Sequence, residues 1–311
     1  MLVFQLQLQN PQSEMGAPPI IDFDELQSEL LPASEEWGCF RLTNHPIPAA
    51  LMAEMKATVR CLLDLPPEIK ARNKDVIAGS GYVPPGKANP LYEALGLYDV
   101  GSPQALHHFC SQLHLSPNQR EIIQKYSEAI QELAIEIGQK LCKSLGLNLD
   151  LCKEWTCQFR INKYNFTRES VGLTGVQIHT DSGFLTILQD DECVGGLEVM
   201  DERSGEFIAV DPLPGSLVVN FGDTAKAWSN GRLCNVKHRV QCREPTTRIS
   251  IALFVLGPKE GRVEAPVELV DVERGRLFCP FTVEDYRKLR LSTGLRAGEA
   301  LELLRKESSS E

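Results

Sequence analysis

The sequence has no Cys-x-x-Cys pair and no apolar run that approaches the roughly 20 residues of a membrane-spanning helix. The first absence argues against zinc ribbons and thioredoxin-like redox motifs, and the second against membrane insertion. Basic residues are also in deficit, because 32 Lys and Arg stand against 42 Asp and Glu, a formal net charge of −10. Nucleic-acid phosphates need a basic protein surface. We therefore expect neither a nucleic-acid partner nor a membrane.

Cysteine is well represented, with ten residues in the chain. Most of them lie in apolar contexts, such as the segment Trp37-Gly38-Cys39-Phe40, and we recognise no secretory signal peptide. Thiols in such surroundings pack as small hydrophobic groups and stay reduced in the cytosol. We expect free cysteines in a cytoplasmic protein.

The composition is that of an ordinary globular protein. The chain has 311 residues, of which 42% are hydrophobic and 24% charged. These values exclude a disordered chain, a collagen-like chain and a small disulfide scaffold. The length allows two domains or one large domain.

Three regions of different character succeed one another along the chain. Residues 1–14 look foreign to the rest of the sequence, because Met15-Gly16-Ala17-Pro18-Pro19 reads like a natural start. We interpret them as a non-native or upstream-translated extension, with a native extension as the alternative. Residues 15–150 are predicted to be mainly helical. Residues 151–311 are predicted to form a β-rich core followed by C-terminal helices.

The longest predicted helix begins at Ser116-Pro117, which reads as an N-cap followed by Pro at the first helical position. Apolar residues then recur with a 3.6-residue period as far as Gly146, so this helix should brace a sheet. The preceding stretch Ala78–His108 is rich in Gly, Pro and Tyr and is predicted to be irregular and functional.

Between residues 155 and 260, short β-rich runs alternate with turn signals such as Ser229-Asn230-Gly231. About eight short strands at regular spacing predict a barrel or a double-sheet jelly roll. The predicted strands are Gln158–Tyr164, Val176–His179, Leu185–Gln189, Leu197–Met200, Phe207–Val210, Ser216–Asn220, Val236–Cys242 and Arg248–Leu256.

A His-x-Asp pair stands at the end of one of these strands. On a strand, positions i and i+2 point to the same face, so His179 and Asp181 can present an imidazole and a carboxylate to one point. Antiparallel pairing could bring His238 opposite them. Two His and one Asp on one face form the facial triad of non-haem Fe(II) oxygenases. By itself, a His-x-Asp pair also occurs by chance on many strands.

A second pair of polar residues supports the interpretation of the first pair as part of a metal site. Arg248 and Ser250 also share a strand face, and a guanidinium with a hydroxyl forms a receptor for a carboxylate. Tyr164 can supply another hydroxyl. The apolar residues around Arg248 predict a buried strand, and a buried Arg needs a charged partner, which a ligand carboxylate would provide.

From Met15 to its tail, the chain resembles the plant 2-oxoglutarate- and Fe(II)-dependent dioxygenases. The resemblance implies a double-stranded β-helix flanked by helices, with iron bound by His179, Asp181 and His238. It also implies 2-oxoglutarate held by Arg248, Ser250 and Tyr164, and we add the neighbouring Asn162 as a further contact. The motifs that carry the resemblance are Trp37-Gly38-Cys39-Phe40, Asn44-His45, His179-x-Asp181, Asn220-Phe221-Gly222-Asp223, Ser229-Asn230-Gly231, His238-Arg239-Val240 and Arg248-x-Ser250.

Two longer runs, His179–Met200 and Ala227–Cys242, are similar to the branch of this family called dioxygenase for auxin oxidation. That resemblance implies oxidation of indole-3-acetic acid, or of its amino-acid conjugates, to the 2-oxindole, with Fe(II), 2-oxoglutarate and O2, and with ascorbate as reductant. A dioxygenase of gibberellins or flavonoids, a non-catalytic jelly-roll protein and a zinc enzyme are the alternatives.

The substrate pocket should be apolar, with a donor or cation for the substrate's carboxylate. For that carboxylate, Lys163 and Arg168 both remain open, and each can equally be a solvated surface charge. Phe254 shares the strand face of Arg248, so it should point toward the site, although core packing would explain it equally well. The predicted lining residues are Phe254, Tyr82, Leu97, Tyr98 and Phe166.

Overall fold

A computed structural model describes residues 16–87, 89–271, 273 and 275–306, and the extension predicted at residues 1–14 lies outside them. In the described part of the chain, the strands form one sheet of seven strands and one of four. In chain order the strands are β1 (Ile20–Asp22), β2 (Cys39–Thr43), β3 (Tyr92–Tyr98), β4 (Trp155–Tyr164), β5 (Thr174–His179), β6 (Leu185–Gln189), β7 (Leu197–Asp201), β8 (Glu206–Ala209), β9 (Leu217–Phe221), β10 (His238–Gln241) and β11 (Arg248–Pro258).

The seven-stranded major sheet has the order β1-β2-β9-β6-β11-β4-β3, and the four-stranded minor sheet has the order β5-β10-β7-β8. Every pairing is antiparallel except that of β1 with β2. Neighbours in each sheet are often far apart in sequence, which is the arrangement of a jelly roll. The eight strands predicted from the sequence are all present, with ends that differ by up to three residues.

Helices surround the major sheet. The longest, α5, starts at a capping box in which Ser116 accepts from the backbone N–H of Gln119 and Gln119 accepts from that of Ser116. No helix in the described residues is both long and apolar enough to cross a membrane. The helices are α1 (Leu26–Glu36), α2 (Ala49–Leu63), α3 (Pro67–Lys70), α4 (Pro103–Gln112), α5 (Pro117–Ser144), α6 (Asp223–Trp228), α7 (Val283–Thr293) and α8 (Glu299–Glu302).

Strands β2 and β3 lie where the sequence predicted helical or irregular chain, and helix α4 begins within the stretch predicted to be irregular. β2 pairs with β9, and β3 pairs with β4 along its whole length, so both complete the major sheet. The stretch 78–108 is therefore only partly irregular, because it contains β3 and most of α4. The C-terminal helices predicted from the sequence are α7 and the single turn of α8.

The main hydrophobic core fills the space between the helices and the outer face of the major sheet. Ile130 and Ile137 of α5 are fully buried there, together with Ile187 of β6 and Leu253 of β11. Residues from both the helical and the β-rich region share this one core. The opposite face of the sheet is thereby left to line a polar cavity.

Candidate active site

His179, Asp181 and His238 meet at one point between the sheets. His179 ends β5 and His238 begins β10, and the two are direct partners in the antiparallel ladder. Each imidazole Nε2 lies 3.7 Å from Oδ1 of Asp181. The three ligand atoms lie within 4.8 Å of one another. Two imidazoles and one carboxylate at this spacing match the donor set of a facial triad.

Hydrogen bonds orient all three side chains toward the same point. The Nδ1 atoms of His179 and His238 lie 2.8 and 3.2 Å from the carbonyl oxygens of Gln177 and Val236, each two residues earlier in the chain. Both Nε2 atoms are thereby turned toward Asp181. Thr186 donates to Oδ2 of Asp181 at 2.6 Å, which leaves Oδ1 facing the two histidines. Such fixed partners are typical of metal-binding residues.

The electrostatics favour a neutral imidazole at His179. Burial lowers the pKa of His179, and the neighbouring His238 lowers it further against the opposing effect of Asp181. A neutral imidazole keeps its lone pair available, which metal binding requires. The site is therefore prepared to bind a cation without first releasing a proton from His179.

The loop that carries Asp181 is held by the segment after β9. The backbone N–H of Asp223 donates to the carbonyl of Asp181 at 2.8 Å. A Cβ on Gly222 would lie 2.5 Å from that same carbonyl oxygen, so only glycine permits this approach. The Asp223 side chain is fully buried and accepts from Tyr286, Asn235 and Arg290. Helix α7 is thereby tied to the loop of the triad.

A second polar cluster lies on the inner face of the major sheet. Strand register places Arg248 opposite Tyr164, and Ser250 opposite Asn162. Asn162 donates to the hydroxyl of Ser250 at 3.3 Å and accepts from the hydroxyl of Tyr92 at 2.8 Å. The four predicted co-substrate residues are thus brought together on one face.

Arg248 is 1% exposed, and in the described structure its Nε atom has no hydrogen-bond partner. Its guanidinium carbon lies 5.1 Å from the centre of the Tyr164 ring. Burial raises the pKa of Tyr164 to about 12, so its hydroxyl stays protonated. A buried cation beside fixed hydroxyl donors fits a ligand carboxylate, because an unpaired buried charge is costly.

The triad and the Arg248 cluster line one cavity of about 300 Å³. Phe254 lies in its wall, as the sequence predicts, together with apolar side chains from both sheets. Its further lining residues include Tyr92, Arg160, Leu188, Leu197, Val240, Arg287 and Arg290.

The other predicted pocket residues do not line this cavity. Leu97 lies on the opposite face of β3 and is buried in the main core. Phe166 is buried behind Tyr164, with ring centres 5.7 Å apart. Tyr82 donates to Glu93 at 2.6 Å. Tyr98 lines a neighbouring cleft that it shares with Arg287.

The two cations considered for the substrate's carboxylate also lie elsewhere. The Nζ atom of Lys163 is 3.0 Å from a carboxylate oxygen of Asp64, and Arg168 is exposed. The cavity instead contains Arg160, Arg287 and Arg290, which the sequence reasoning missed. A signal existed for Arg160, because it precedes Asn162 by two residues and so shares its strand face.

Comparison with known proteins agrees with this geometry. A family model for the 2OG-Fe(II) oxygenase superfamily matches residues 155–257, and one for the non-haem dioxygenase in morphine synthesis N-terminal region matches residues 18–103. The rice (Oryza sativa) 2-oxoglutarate-dependent dioxygenase DAO is 57% identical over 277 residues, which cover 89% of this chain and 92% of that protein. The chain belongs to the 2-oxoglutarate- and Fe(II)-dependent oxygenase family.

Solved structures of this oxygenase family superpose closely on the chain. The crystal structure of rice dioxygenase for auxin oxidation has a TM-score of 0.86 and 53% identity, covering 93% of this chain and 100% of that one. Dioxygenase for auxin oxidation 1 from Arabidopsis thaliana, in its binary complex with 2-oxoglutarate, has a TM-score of 0.81 and 57% identity, covering 84% and 100%. The predicted double-stranded β-helix with flanking helices is confirmed. The prediction that the protein is a 2-oxoglutarate-dependent dioxygenase is confirmed as well.

Family members with other substrates are more distant. Gibberellin 2-beta-dioxygenase 5 of rice is 30% identical over 299 residues, covering 90% of this chain and 86% of that protein. Only remote similarity therefore connects this oxygenase to the gibberellin branch that the sequence left open as an alternative.

Proposed function

We propose that the protein is an auxin-inactivating dioxygenase that oxidises indole-3-acetic acid, or its amino-acid conjugates, to the 2-oxindole form. The observation that carries this proposal is the joining of the triad and the buried Arg248 in one cavity, in a chain more than half identical to a dioxygenase for auxin oxidation. His179, Asp181 and His238 hold Fe(II) through Nε2, Oδ1 and Nε2. Arg248, Ser250 and Tyr164 bind the distal carboxylate of 2-oxoglutarate, and Asn162 fixes the Ser250 hydroxyl.

When bound, the iron and 2-oxoglutarate supply the oxidising equivalent from O2 by oxidative decarboxylation to succinate and CO2. The task of the protein is to position the ring and exclude water. Apolar side chains of the cavity wall, including Phe254, Leu188, Leu197 and Val240, offer contacts for the indole ring.

Ascorbate serves as the reductant that keeps the iron ferrous between turnovers, and the protein works in the cytoplasm without nucleic-acid or membrane partners. Support for a reducing compartment comes from the cysteines, since all ten are free thiols. The same compartment would keep the metal in its ferrous state.

The proposal is tested by a substrate panel. Purified protein is incubated with Fe(II), ascorbate and 2-oxoglutarate, and with indole-3-acetic acid, its aspartate conjugate, a gibberellin or a flavonoid. We expect a product 16 mass units heavier from the indoles, with one succinate formed per turnover. Turnover of a gibberellin or flavonoid without any oxindole would reject the proposal.

Two controls address the remaining alternatives. The variant His179→Ala should lose turnover and Fe(II) binding together, whereas a non-catalytic binding protein would show no metal-dependent activity to lose. Replacement of Fe(II) by Zn²⁺ should abolish turnover. Full activity with Zn²⁺ would identify a zinc enzyme, for which the Arg248 cluster would have no use.

A further inference from the structure

Two arginines in the cavity wall have no role in binding iron or 2-oxoglutarate. Arg160 extends from β4 on the face that carries Asn162 and Tyr164, and Arg287 extends from α7 across the cavity. Both are half-buried. No ion pair joins either of them to a carboxylate in the portion of the chain that the structure describes.

The position of Arg160 separates it from the 2-oxoglutarate receptor. Arg160 precedes Tyr164 by four residues, so their Cα atoms are about 13 Å apart along the strand. In the neighbouring strands it faces Gly96 and Ala252. A Cβ on Gly96 would lie 1.8 Å from the carbonyl oxygen of Ser80 and 2.9 Å from Nη1 of Arg160, so glycine allows the loop that contains Ser80 to approach the guanidinium. Phe254 lies two residues further along β11, opposite Gln158 and on the same strand face, so the aromatic wall and Arg160 are adjacent.

Backbone carbonyls of one loop hold both guanidiniums in place. Arg160 Nη1 donates to the carbonyls of Gly81 at 2.7 Å and Gly79 at 3.3 Å. Arg287 donates through Nε to the carbonyl of Ala78 at 2.8 Å. These neutral acceptors orient the two groups without neutralising their charge. Each guanidinium has five N–H donors, so these bonds leave donors for a ligand.

The two guanidiniums are close enough to repel each other. Burial lowers the pKa of Arg287, and the charge of Arg160 lowers it further. Asp75 lies near both, but its carboxylate already accepts from the backbone N–H groups of Gly79 and Gly81, at 2.8 and 2.6 Å. The third arginine, Arg290, is occupied by Asp223 and Thr180. A bound anion would relieve the repulsion between Arg160 and Arg287.

We infer that Arg160 and Arg287 bind the carboxylate of the substrate and select acidic over neutral indoles. The inference deepens the proposed function, on which it depends for the identity of the ring. Phe254 lies beside Arg160, and both line the cavity that contains the triad, so a ring attached to this carboxylate would lie in the same cavity. Paired charge-assisted hydrogen bonds give such a contact both strength and direction.

The test compares two ligands that differ in charge and little in shape. Indole-3-acetate and indole-3-acetamide are titrated into the protein loaded with Fe(II) and saturating 2-oxoglutarate under strict exclusion of O2, so that binding is measured without turnover. The variants are Arg160→Gln and Arg287→Gln. Lys288→Gln is the matched control, because it removes an exposed cation from the next position of the same helix.

For the wild type and Lys288→Gln, we expect the acid to bind more tightly than the amide. Each arginine variant should weaken binding of the acid roughly ten- to hundredfold and that of the amide less than about threefold. Equal weakening of both ligands would show that the arginines merely support the loop at residues 78–81, and would overturn the inference. Equal affinity of the wild type for acid and amide would overturn it as well.

The substrate panel distinguishes this result from the proposed function. A charge preference that disappears in the variants, without oxindole formation by the wild type, would reject the function and leave the arginine pair as a carboxylate site. Oxindole formation by the wild type, with equal loss of affinity for acid and amide in the arginine variants, would support the function and reject the arginine pair as a carboxylate site.

Discussion

At the scale of single residues, the burial of Arg248 places a strong constraint on the ligand of the cavity. A guanidinium that is 1% exposed loses its hydration, and in the described structure its Nε atom lacks a hydrogen-bond partner. A dicarboxylate that enters the cavity restores the interactions that burial removed. Arg41 offers a contrast, since it is almost as buried but is paired with Asp190 at 3.1 Å.

We therefore predict that Arg248→Gln raises the KM for 2-oxoglutarate by roughly a hundredfold or more, because a charge-assisted fork is lost. Ser250→Ala, which removes one hydroxyl, should raise it by roughly tenfold. Succinate formation at varied 2-oxoglutarate measures both effects. Fe(II) binding, followed separately, should change little in either variant. An unchanged KM in Arg248→Gln would place the co-substrate elsewhere.

The cysteines give a second prediction at this scale, on thiol reactivity. Burial raises the pKa of Cys39 to about 12 and, chiefly for the same reason, that of Cys157 to about 12. A raised thiol pKa means less thiolate, so at pH 8 both should resist alkylation until the protein unfolds. Mass spectrometry after brief iodoacetamide treatment should find label first on the exposed thiols. These are Cys61, Cys193 and Cys279.

Denatured protein, in which all ten cysteines should react, is the control for that measurement. Rapid labelling of Cys39 in the native state would mean that its surroundings open much more readily than its burial implies.

A site residue could be predicted from the sequence only where its partners lie within a few residues of it along the chain. His179 and Asp181 are two residues apart on a strand, so local alternation was enough to group them. Arg160 has the same periodic relation to Asn162, but a lone cation on a strand reads as solvent-facing. Arg287 carries no local signal, because only the packing of α7 against the sheets brings it to the cavity.

At the scale of elements, α7 positions the loop of the triad through a buried carboxylate. Burial and the neighbouring Asp223 raise the pKa of Tyr286 above its usual range, so its hydroxyl remains a donor to Asp223 at 2.6 Å. Arg290 adds a bond to Asp223 and another, at 2.8 Å, to the carbonyl of Thr180, next to Asp181. The helix thereby fixes the direction of a proposed metal ligand.

We predict that Asp223→Asn destabilises the protein by about 3 kcal/mol, because Arg290 then lacks its carboxylate partner inside the structure. Metal affinity should fall about tenfold as the loop loosens. Urea denaturation and a metal titration measure the two effects. Glu284→Gln, which removes an exposed ion pair on the same helix, should cost less than about 0.5 kcal/mol. If Asp223→Asn lowered the free energy of unfolding by less than about 1 kcal/mol, the proposed role of Asp223 in holding α7 to the loop of the triad would be contradicted.

Elements differ in how far their own sequence determines them. The start of α5 was predictable, because its Ser-Pro-x-Gln capping signal is local. Strand β3, Tyr-Glu-Ala-Leu-Gly-Leu-Tyr, contains residues that favour helices, and its pairing with β4 decides its conformation. Strand β2 is likewise fixed by β9, which lies nearly 180 residues later in the chain. Tertiary pairing of this kind overrides local propensity.

At the scale of the whole molecule, the helical and β-rich regions depend on each other, and we predict that the chain unfolds in one cooperative step. Strands β2 and β3 come from the helical region but complete the sheet that carries Arg248. Calorimetry should give one transition with equal calorimetric and van't Hoff enthalpies.

A fragment of residues 151–311 should fail to fold alone, because the edges of β4 and β9 would be uncovered. Co-expression of residues 16–150 with that fragment is the control, and should recover metal binding. Two separate transitions, or a monomeric folded fragment that binds metal alone, would instead show that the sequence boundary near residue 150 divides two independent domains.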